Sequence, residues 1–327
     1  MYITINNTKV EVLKGETLIE TARRTGLDIP SLCYAKDTIH KSSCMVCAVK
    51  DCDTGQIIPS CTTLPVEGMK IDAESEDVQV VRVLSLELLL SDHRADCEAP
   101  CSMVCPHGLD IERVLNLYDD GRHEDAYALI AATFALPTLG CEGCKVPCEK
   151  ICRRKSVDKG VAIRDVIGKI VGMFDSVPAA AEKNEKKSTK DLFQSRLGRF
   201  TTREKEWLKE NVDTPSGCLH CACAGREGCK LRLYATAAGL KRTRYEASSA
   251  LPVMKKQRVT DKMWFESAKC IRCGLCVYNS QNGFTFKDRG FGMQVVIPDE
   301  SLSNIGDELA ELCPTGALYL TTVRDEK

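Results

Sequence analysis

The first 76 residues alternate between apolar and polar positions in short runs, which is the pattern of half-buried strands. Alternation on both sides of Asn6 and Asn7 predicts a β-hairpin with these two residues in its turn. A helix is predicted from Thr17 to Thr25, and Gly26 is its C-terminal stop. The predicted strands cover residues 2–5, 9–13, 47–50, 57–61 and 69–71. The pattern therefore predicts a small β-rich domain over residues 1–76.

Helical spacing replaces the strand pattern in the next part of the chain. One helix is predicted over 77–92, and apolar positions recur every three or four residues across 108–136. The segment 77–172 is therefore predicted to consist of helices joined by cysteine-containing loops.

The composition changes again in the centre of the chain. Residues 173–215 are rich in Lys and Ala and are predicted to form a linker with a charged helix at 201–210. A cysteine-rich segment is predicted over 216–260, and a last domain over 261–327. That domain is predicted to contain a hairpin, with strands at 283–287 and 293–297, and a helix followed by a strand around Cys313. The predicted fold class is an α+β multidomain chain.

Charge and hydropathy exclude several classes of protein. The 45 basic residues nearly balance the 46 acidic ones, so neither nucleic acid nor an anionic membrane is predicted as a partner. No apolar run approaches the roughly 18 residues of a membrane span. The first residues show no secretory signal, so a cytoplasmic location is predicted. Disulfides are rare in that compartment.

Cysteine is the residue type that changes this picture most. The chain has 20 cysteines, and nineteen of them fall into five groups. The groups are Cys33/Cys44/Cys47/Cys61, Cys97/Cys101/Cys105, Cys141/Cys144/Cys148/Cys152, Cys218/Cys221/Cys223/Cys229 and Cys270/Cys273/Cys276/Cys313. Thiolates gathered by short loops are the ligands of iron–sulfur clusters. Cys52 stands apart and is predicted to be a buried thiol.

Zinc is the main alternative to iron for any one group, because paired C-x2-C motifs also form tetrahedral zinc sites. The spacing of the last group favours iron. Cys270, Cys273 and Cys276 place three thiolates on one short loop, and the distant Cys313 supplies a fourth. Three close ligands and one distant ligand suit the corners of a [4Fe–4S] cubane.

The first group has the spacing C-x10-C-x2-C-x13-C. Four thiolates from one wrapping loop suit a two-iron cluster with two sulfur ligands per iron. The stretches 30–34 and 43–49 resemble the [2Fe–2S] domain at the front of the large iron–sulfur subunit of complex I and of NAD-linked iron hydrogenases. The resemblance implies a β-grasp ferredoxin fold and the ligands Cys33, Cys44, Cys47 and Cys61.

The segment 87–97 also resembles the complex I subunit, in which an H-x3-C motif contributes to a [4Fe–4S] cluster. His93 and Cys97 occupy those positions here. The chain then departs from that family, which continues with C-x2-C-x5-C. The stretch from Cys101 to Ile163 instead resembles the helical N-terminal domain of the glutamate synthase small subunit, a domain shared with dihydropyrimidine dehydrogenase.

This second resemblance implies two [4Fe–4S] clusters whose ligands come from both ends of the segment. One cluster is predicted to use Cys97, Cys101 and Cys152, with His93 replacing a cysteine that the family has. The other is predicted to use Cys105, Cys144 and Cys148, with the nearby Cys141 as fourth ligand. A surface or hydrogen-bonding role is the alternative for His93.

The remaining groups each predict one cluster. The C-x5-C spacing of Cys223 and Cys229 resembles the end of the histidine-ligated complex I motif. Cys218 and Cys221 would complete a [4Fe–4S] site with them, and a zinc site is the alternative. His220 is not a predicted ligand. The stretches around Cys270–Cys276 and Cys313 resemble bacterial ferredoxins. Their second cysteine motif is missing here, so one cubane is implied.

Nothing in the sequence indicates a terminal catalyst. Neither G-x-G-x-x-G nor a Walker loop is present, so neither flavin nor NAD is predicted on the chain. With one [2Fe–2S] and three to four [4Fe–4S] clusters, the chain is predicted to be an electron-transfer subunit of a cytoplasmic NAD(P)H-linked complex. The predicted partners are an NAD(P)H-handling flavoprotein and a second redox subunit of hydrogenase, formate dehydrogenase or glutamate-synthase-like type. The alternatives are a flavin-binding reductase without a standard motif and a zinc-stabilised scaffold or assembly protein.

Overall fold

The computed structural model describes residues 1–93, 96–174, 214–240, 245, 256–280, 283–297 and 306–320. These residues divide into two compact units. The first unit combines 1–94 with 224–326, and the second unit is 95–223. The second unit is therefore an insertion within the sequence of the first. The predicted helix at 201–210 lies outside the described residues.

The first unit begins with a five-stranded mixed sheet in the order β2-β1-β5-β3-β4. The strands are β1 Tyr2–Ile5, β2 Thr8–Glu11, β3 Ala48–Asp51, β4 Ile57–Pro59 and β5 Lys70–Asp72. The predicted hairpin is confirmed, because β1 and β2 pair antiparallel. Asn6 and Asn7 both have positive φ, 46° and 65°, as a two-residue type I′ turn requires.

Two helices cover this sheet. Helix α1 (Leu18–Arg24) begins with a capping box in which the Thr17 amide donates to Glu20 Oε2 at 2.8 Å. Its apolar face packs with Ile3 and Ile5 in a buried core. Helix α2 (Glu76–Asp92) confirms the helix predicted over 77–92 and packs against β3, where Arg82 donates to the Ala48 carbonyl.

The second unit is helical throughout its described residues, as the spacing of apolar positions predicts. Its helices are α3 Pro100–Met103, α4 Ile111–Asp119, α5 His123–Thr133, α6 Pro147–Ile151 and α7 Ile163–Phe174. Helices α4, α5 and α7 pack together, and their core includes the fully buried Val114, Ile130 and Ile170. The short helices α3 and α6 carry cysteines onto this core.

The rest of the first unit contains short helices and two small sheets. Helix α8 (Lys230–Ala237) packs against α2. The remaining elements are β6 Lys256–Arg258, β7 Met263–Glu266, α9 Leu275–Asn279, β8 Thr285–Lys287, β9 Gln294–Val296, α10 Glu308–Leu312 and β10 Leu318–Leu320. The strands pair as a sheet of order β10-β7-β6 and a separate β8-β9 hairpin. The hairpin and the final helix-to-strand segment are as predicted.

Mixed sheets and helices make this an α+β chain. Across the described residues, no helix has the length and hydropathy needed to cross a membrane.

Candidate metal centres

The cysteines of the first group converge in the first unit, where Cys33, Cys44 and Cys47 lie in the loop before β3 and Cys61 follows β4. Cys33, Cys44, Cys47 and Cys61 are all buried. The sulfur atoms of Cys33 and Cys44 are 3.4 Å apart. The Cys61 thiol also hydrogen-bonds to Cys33 and to Cys47, so the four sulfurs form one continuous set. The predicted ligands of the [2Fe–2S] cluster are thus brought together.

Neighbouring elements fix the backbone of this loop. Met45 adopts a left-handed φ of 54° between Cys44 and Cys47, and β3 begins directly after Cys47. Ser60 Oγ donates to the Cys47 carbonyl at 2.7 Å. The α1 amide of Ile19 donates to the Ser60 carbonyl at 3.0 Å, which links Cys61 to the helix. The loop is therefore held on both sides.

Hydrogen bonds among the thiols favour ionisation of two of the four. The hydrogen bond from Cys44 holds the pKa of Cys33 far below its usual range. The hydrogen bond from Cys61 lowers the pKa of Cys47 to about 6. A cysteine binds metal as the thiolate, so this loop suits the donor chemistry of an iron–sulfur cluster.

Cys52 differs from its prediction. It is exposed, because it follows β3 in the turn that precedes β4 and lies outside the core. The sequence predicts the turn at 53–55, whereas in the structure the turn begins one residue earlier and includes Cys52.

The last cysteine group is gathered by a loop that precedes α9. Arg272 and Gly274 adopt left-handed φ values of 56° and 84°, and the Arg272 amide donates to the Cys270 sulfur at 3.3 Å. Burial raises the pKa of Cys270 to about 12, and the nearby Cys313 adds to this shift. Without a compensating cation these thiols stay neutral. An iron core supplies that charge, so the donor set fits a cubane.

A buried ion pair lies beside this loop. Lys269 is fully buried, and its Nζ is 2.6 Å from Glu266 Oε2. Thr315 Oγ1 donates to the Lys269 carbonyl at 3.0 Å and lies 3.7 Å from the Cys313 sulfur. These contacts join the two stretches of chain that carry the cysteines.

The loop that carries Cys33 and Cys44 contacts the helix that carries Cys276 within the first unit. The Asn279 side chain of α9 accepts from the Ile39 amide at 2.9 Å and donates to the Ile39 carbonyl at 2.8 Å. Lys41 Nζ lies 5.0 Å from the centre of the Tyr278 ring. The loop of the predicted [2Fe–2S] site is thereby attached to the helix that carries Cys276.

His93 follows the end of α2 in the first unit. Burial lowers its pKa to about 4, and the charge of Lys269 adds to this shift. Its imidazole is therefore neutral at pH 7, which is the form that binds metal. The role of His93 as a ligand stays a prediction.

In the second unit, one cavity collects the predicted set Cys105, Cys141, Cys144 and Cys148. Helix α6 begins at Pro147 after Val146, whose φ is 47°, and this turn directs Cys148 into the core. Burial raises the pKa of Cys148 to about 11. Arg164 donates to the Cys144 carbonyl. Cys141, the extra cysteine, lines the same cavity.

A second cavity of this unit contains a group that was not predicted. It is lined by Cys101 and Cys152 together with Cys218 and Cys221. Burial raises the pKa of Cys101 well above its usual value, and Cys218 and Cys152 contribute to the shift. The sequence predicts Cys218 and Cys221 as partners of Cys223 and Cys229, and that set stays a prediction. In the structure, Cys218 and Cys221 line a cavity with Cys101 and Cys152.

Three side chains hold the stretches around this cavity together. Asp119, at the end of α4, accepts from the Ser216 amide at 2.7 Å and from its hydroxyl at 2.6 Å. Arg154 donates to the Gly217 carbonyl at 2.8 Å. Arg153 binds both oxygens of the buried Asp96 at 2.9 Å. Sequence reasoning missed these residues, since charged side chains so far apart carry no spacing signal.

His220 lies between Cys218 and Cys221 in sequence and is mostly buried. Its Nε2 is 3.1 Å from Asp119 Oδ2, and its Nδ1 is 3.6 Å from Glu112 Oε1. Burial opposes its charge, but Asp119, Cys218 and Glu112 outweigh that cost and raise the pKa of His220 to about 11. Asp119 and Glu112 both belong to α4, so these contacts hold His220 and its segment against that helix.

Cys97, Cys223 and Cys229 lie outside these groups. The Cys223 amide donates to the Cys97 carbonyl at 3.3 Å within the second unit. Cys229 belongs to the first unit, where its sulfur caps α8 by accepting from the Arg232 amide at 3.4 Å.

Over the described ranges, no three His, Cys, Asp or Glu side chains converge closely enough to hold a single metal ion. Cysteines that bind different iron atoms of one cluster do not need such convergence.

Family comparisons identify two iron–sulfur domains. Residues 1–76 match the model of a 2Fe-2S iron–sulfur cluster binding domain. Residues 91–174 match the model of dihydropyrimidine dehydrogenase domain II, 4Fe-4S cluster. The chain carries a [2Fe–2S] domain and a [4Fe–4S] domain. Two of the resemblances stated from the sequence motifs are confirmed: that of the first domain to a [2Fe–2S] domain, and that of the segment from Cys101 to Ile163 to the domain shared with dihydropyrimidine dehydrogenase.

Curated relatives match parts of the chain. The 75 kDa subunit of NADH-ubiquinone oxidoreductase from Reclinomonas americana is 27% identical over 122 residues, which are 37% of this chain and 17% of that protein. The gamma subunit of the NAD-reducing hydrogenase HoxS from Cupriavidus necator is 30% identical over 95 residues, 29% of this chain and 40% of that protein. The chain thus spans less than half the length of either relative.

A solved structure resembles the chain over nearly its full length. It is a chain in the crystal structure of NAD+-reducing [NiFe]-hydrogenase in the H2-reduced state, with a TM-score of 0.51. The alignment covers 98% of this chain and 88% of that chain at 15% identity, which shows a shared fold.

Proposed function

We propose that this chain is a multi-cluster iron–sulfur electron-transfer subunit of an NAD(P)H-linked oxidoreductase. It carries one [2Fe–2S] and three to four [4Fe–4S] clusters, and binds neither flavin nor NAD itself.

The observation that carries the proposal is the spacing of the cysteine groups within each unit. In the second unit, the fully buried Ile163 lines both four-cysteine cavities, so one side chain separates the two sites. In the first unit, hydrogen bonds between Ile39 and Asn279 attach one cysteine loop to the helix of the other. Centres placed this closely form a relay, whereas structural zinc sites have no need of such neighbours.

The clusters would supply reversible one-electron storage. The protein would bind them through cysteine sulfurs and exclude water from them with apolar side chains. Backbone amides such as that of Arg272 donate to ligand sulfurs and stabilise the reduced, more negative state. Proton transfer and substrate binding are not needed at these sites.

The proposal also covers the fold of the first domain, the compartment of the protein and its division into segments. We assign the domain 1–76 a β-grasp ferredoxin fold, which its five-stranded mixed sheet and covering helix support. Free thiols and oxygen-sensitive clusters persist in a reducing compartment, which supports the cytoplasm. We divide the chain into five segments: 1–76, 77–172, 173–215, 216–260 and 261–327. The segments 77–172 and 216–260 both contribute cysteines to the cavity lined by Cys101, Cys218 and Cys221.

The partners follow from what an electron relay requires. One partner is a flavoprotein that handles NAD(P)H and passes single electrons to the chain. The other is a redox subunit of hydrogenase, formate dehydrogenase or glutamate-synthase-like type. The relatives described above belong to NAD-linked systems by their names, which supports this direction.

A reductive titration of the anaerobically purified chain, followed by electron paramagnetic resonance (EPR), tests the role. We expect one signal of [2Fe–2S] type and at least three of [4Fe–4S] type, with magnetic interaction between neighbours. A yellow chain with bound flavin that oxidises NAD(P)H by itself would favour the reductase alternative. A colourless zinc-loaded chain without EPR signals would favour a scaffold.

A further inference from the structure

We propose that Cys101, Cys152, Cys218 and Cys221 are the four ligands of one [4Fe–4S] cluster in the second unit. This site takes two ligands from the segment that matches the [4Fe–4S] domain model and two from a C-x2-C motif beyond it. It needs only that the domain binds a cluster, and is independent of the proposed electron-transfer role.

The cavity itself is the first argument. Its lining contains four cysteines, and the other side chains at its wall are mainly apolar, among them Leu115, Val161 and Ile163. Cys101 comes from α3, Cys152 follows α6, and Cys218 and Cys221 come from the segment after residue 213. Four cysteines from three stretches of chain thus line one space, and four thiolates are the donor set of a cubane.

The attachment of the segment 214–221 is the second argument. Asp119 binds Ser216 through two hydrogen bonds, and Arg154 binds the Gly217 carbonyl. The imidazole of His220 reaches Asp119 from the other side of Cys218. These contacts fix the segment on both sides of Cys218 and hold the C-x2-C motif in place.

Local backbone geometry is the third argument. His220 has a left-handed φ of 47°, and its amide donates to the Cys218 sulfur at 3.4 Å. Arg272 has the same features in the cubane loop of the first unit, with a φ of 56° and an amide hydrogen bond to the sulfur of the cysteine two residues earlier. The C-x2-C turn at 218–221 therefore repeats the turn at 270–273.

Paired variants test the ligand set on the full chain. Cys152→Ser and Cys218→Ser should each alter the same [4Fe–4S] EPR signal, and each should lose up to about four iron atoms per chain. The double variant should lose no more than about four iron atoms in total, because both changes act on one cluster. Serine has an oxygen that can replace the sulfur ligand, so the cluster can stay bound. In that case the EPR signal of the cluster should still shift.

Two further variants serve as controls. Cys148→Ser lies in the neighbouring cavity, so its combination with Cys218→Ser should lose about eight iron atoms, the sum of the single losses. Cys52→Ser is exposed and should lose none. The inference is overturned if Cys152→Ser and Cys218→Ser change different EPR signals, or if the double variant loses clearly more than about four iron atoms.

Discussion

The [2Fe–2S] loop of the first unit and the cubane cavity of the second unit assemble four cysteines in different ways. Cys33, Cys44 and Cys47 come from one loop next to the sheet, and Cys61 follows β4. Cys101, Cys152, Cys218 and Cys221 come from three separate stretches of chain. Cys47 and Cys61 are two members of a core formed mainly by strand and helix side chains, whereas Cys101, Cys148, Cys218 and Cys221 all belong to the core of the second unit.

The difference teaches which part of the molecule depends on its metal. A cluster that joins distant stretches holds more of the chain in place than one whose ligands lie close together in sequence. The sheet of the first unit buries Ile3, Ile19 and Val49 without help from iron. The second unit has cysteines at the positions where a metal-free protein would have larger apolar side chains.

Iron removal should therefore show the largest effect. After chelation, we expect the second unit to lose its protection against amide exchange around 111–119, while strands β1 and β2 keep theirs. The reason is that the distant ligands of the second unit separate once the cluster is gone. Hydrogen exchange of holo and iron-free chain, read by mass spectrometry, measures both regions at once. An equal loss of amide protection in both units would contradict the expected difference between them.

A backbone change should damage the site that takes three of its four cysteines from the short stretch 270–276. Gly274→Ala places a Cβ atom 2.5 Å from Tyr278 Cε2 at a φ of 84°. We expect loss of the cubane signal of the last group and of about four iron atoms. Gly26→Ala is the control, because Gly26 has a φ of 89° with no neighbour within 4 Å. It should cost about 1–2 kcal/mol of stability and no iron.

If the Gly274→Ala variant keeps its full iron content, the stretch 270–276 tolerates displacement of Tyr278. The prediction that this cluster depends on the backbone at residue 274 is then wrong.

A side-chain change should loosen the site that is built from separate stretches. Asp119→Asn removes the carboxylate that holds Ser216 and His220, and we expect it to cost about 1–3 kcal/mol of unfolding free energy in the second unit. Asp125→Asn is the control, since Asp125 is exposed and pairs locally with Arg122. Urea unfolding followed by the cluster absorbance compares them. Similar losses in both variants would show that the segment 214–221 does not depend on Asp119.

The smallest effect is expected at an ion pair far from the cysteines. Arg24 holds the pKa of Glu16 at about 2, below its usual value of 4.5. The stabilisation by Glu16 is thus present above about pH 4.5 and is lost as the pH falls towards 2. Glu16→Gln should lower the protection of the α1 amides by less than about 1 kcal/mol at pH 7, and by less again at pH 4.

Amide exchange of the unchanged protein and of the Glu16→Gln variant, measured at pH 7 and pH 4, checks the direction of this pH dependence. A larger difference at pH 4 than at pH 7 would contradict it.

Local sequence predicted the first unit well. Asn6 and Asn7 identified the first turn, Gly26 the end of α1, and the spacing from Cys33 to Cys61 the cysteines that meet. Turn residues and ligand spacings act over a few positions, so their signal survives in one sequence. The exposed Cys52 was the exception, since a turn boundary shifts by one residue without changing the pattern.

Long-range pairing could not be predicted in the second unit. The cysteines at 218 and 221 were grouped with their neighbours in sequence, whereas helix packing and the contacts of Asp119 and Arg154 bring them to Cys101. Neither contact has a periodic or spacing signal. Tertiary structure alone decides which of several nearby thiolates share a cluster.

The most direct test of the account is the content of iron, acid-labile sulfide, zinc and flavin in the chain after anaerobic purification. One [2Fe–2S] and three to four [4Fe–4S] clusters predict about 14 to 18 iron atoms per chain, an equal amount of sulfide, and no flavin. Little iron with several zinc ions per chain would contradict electron transfer as the function.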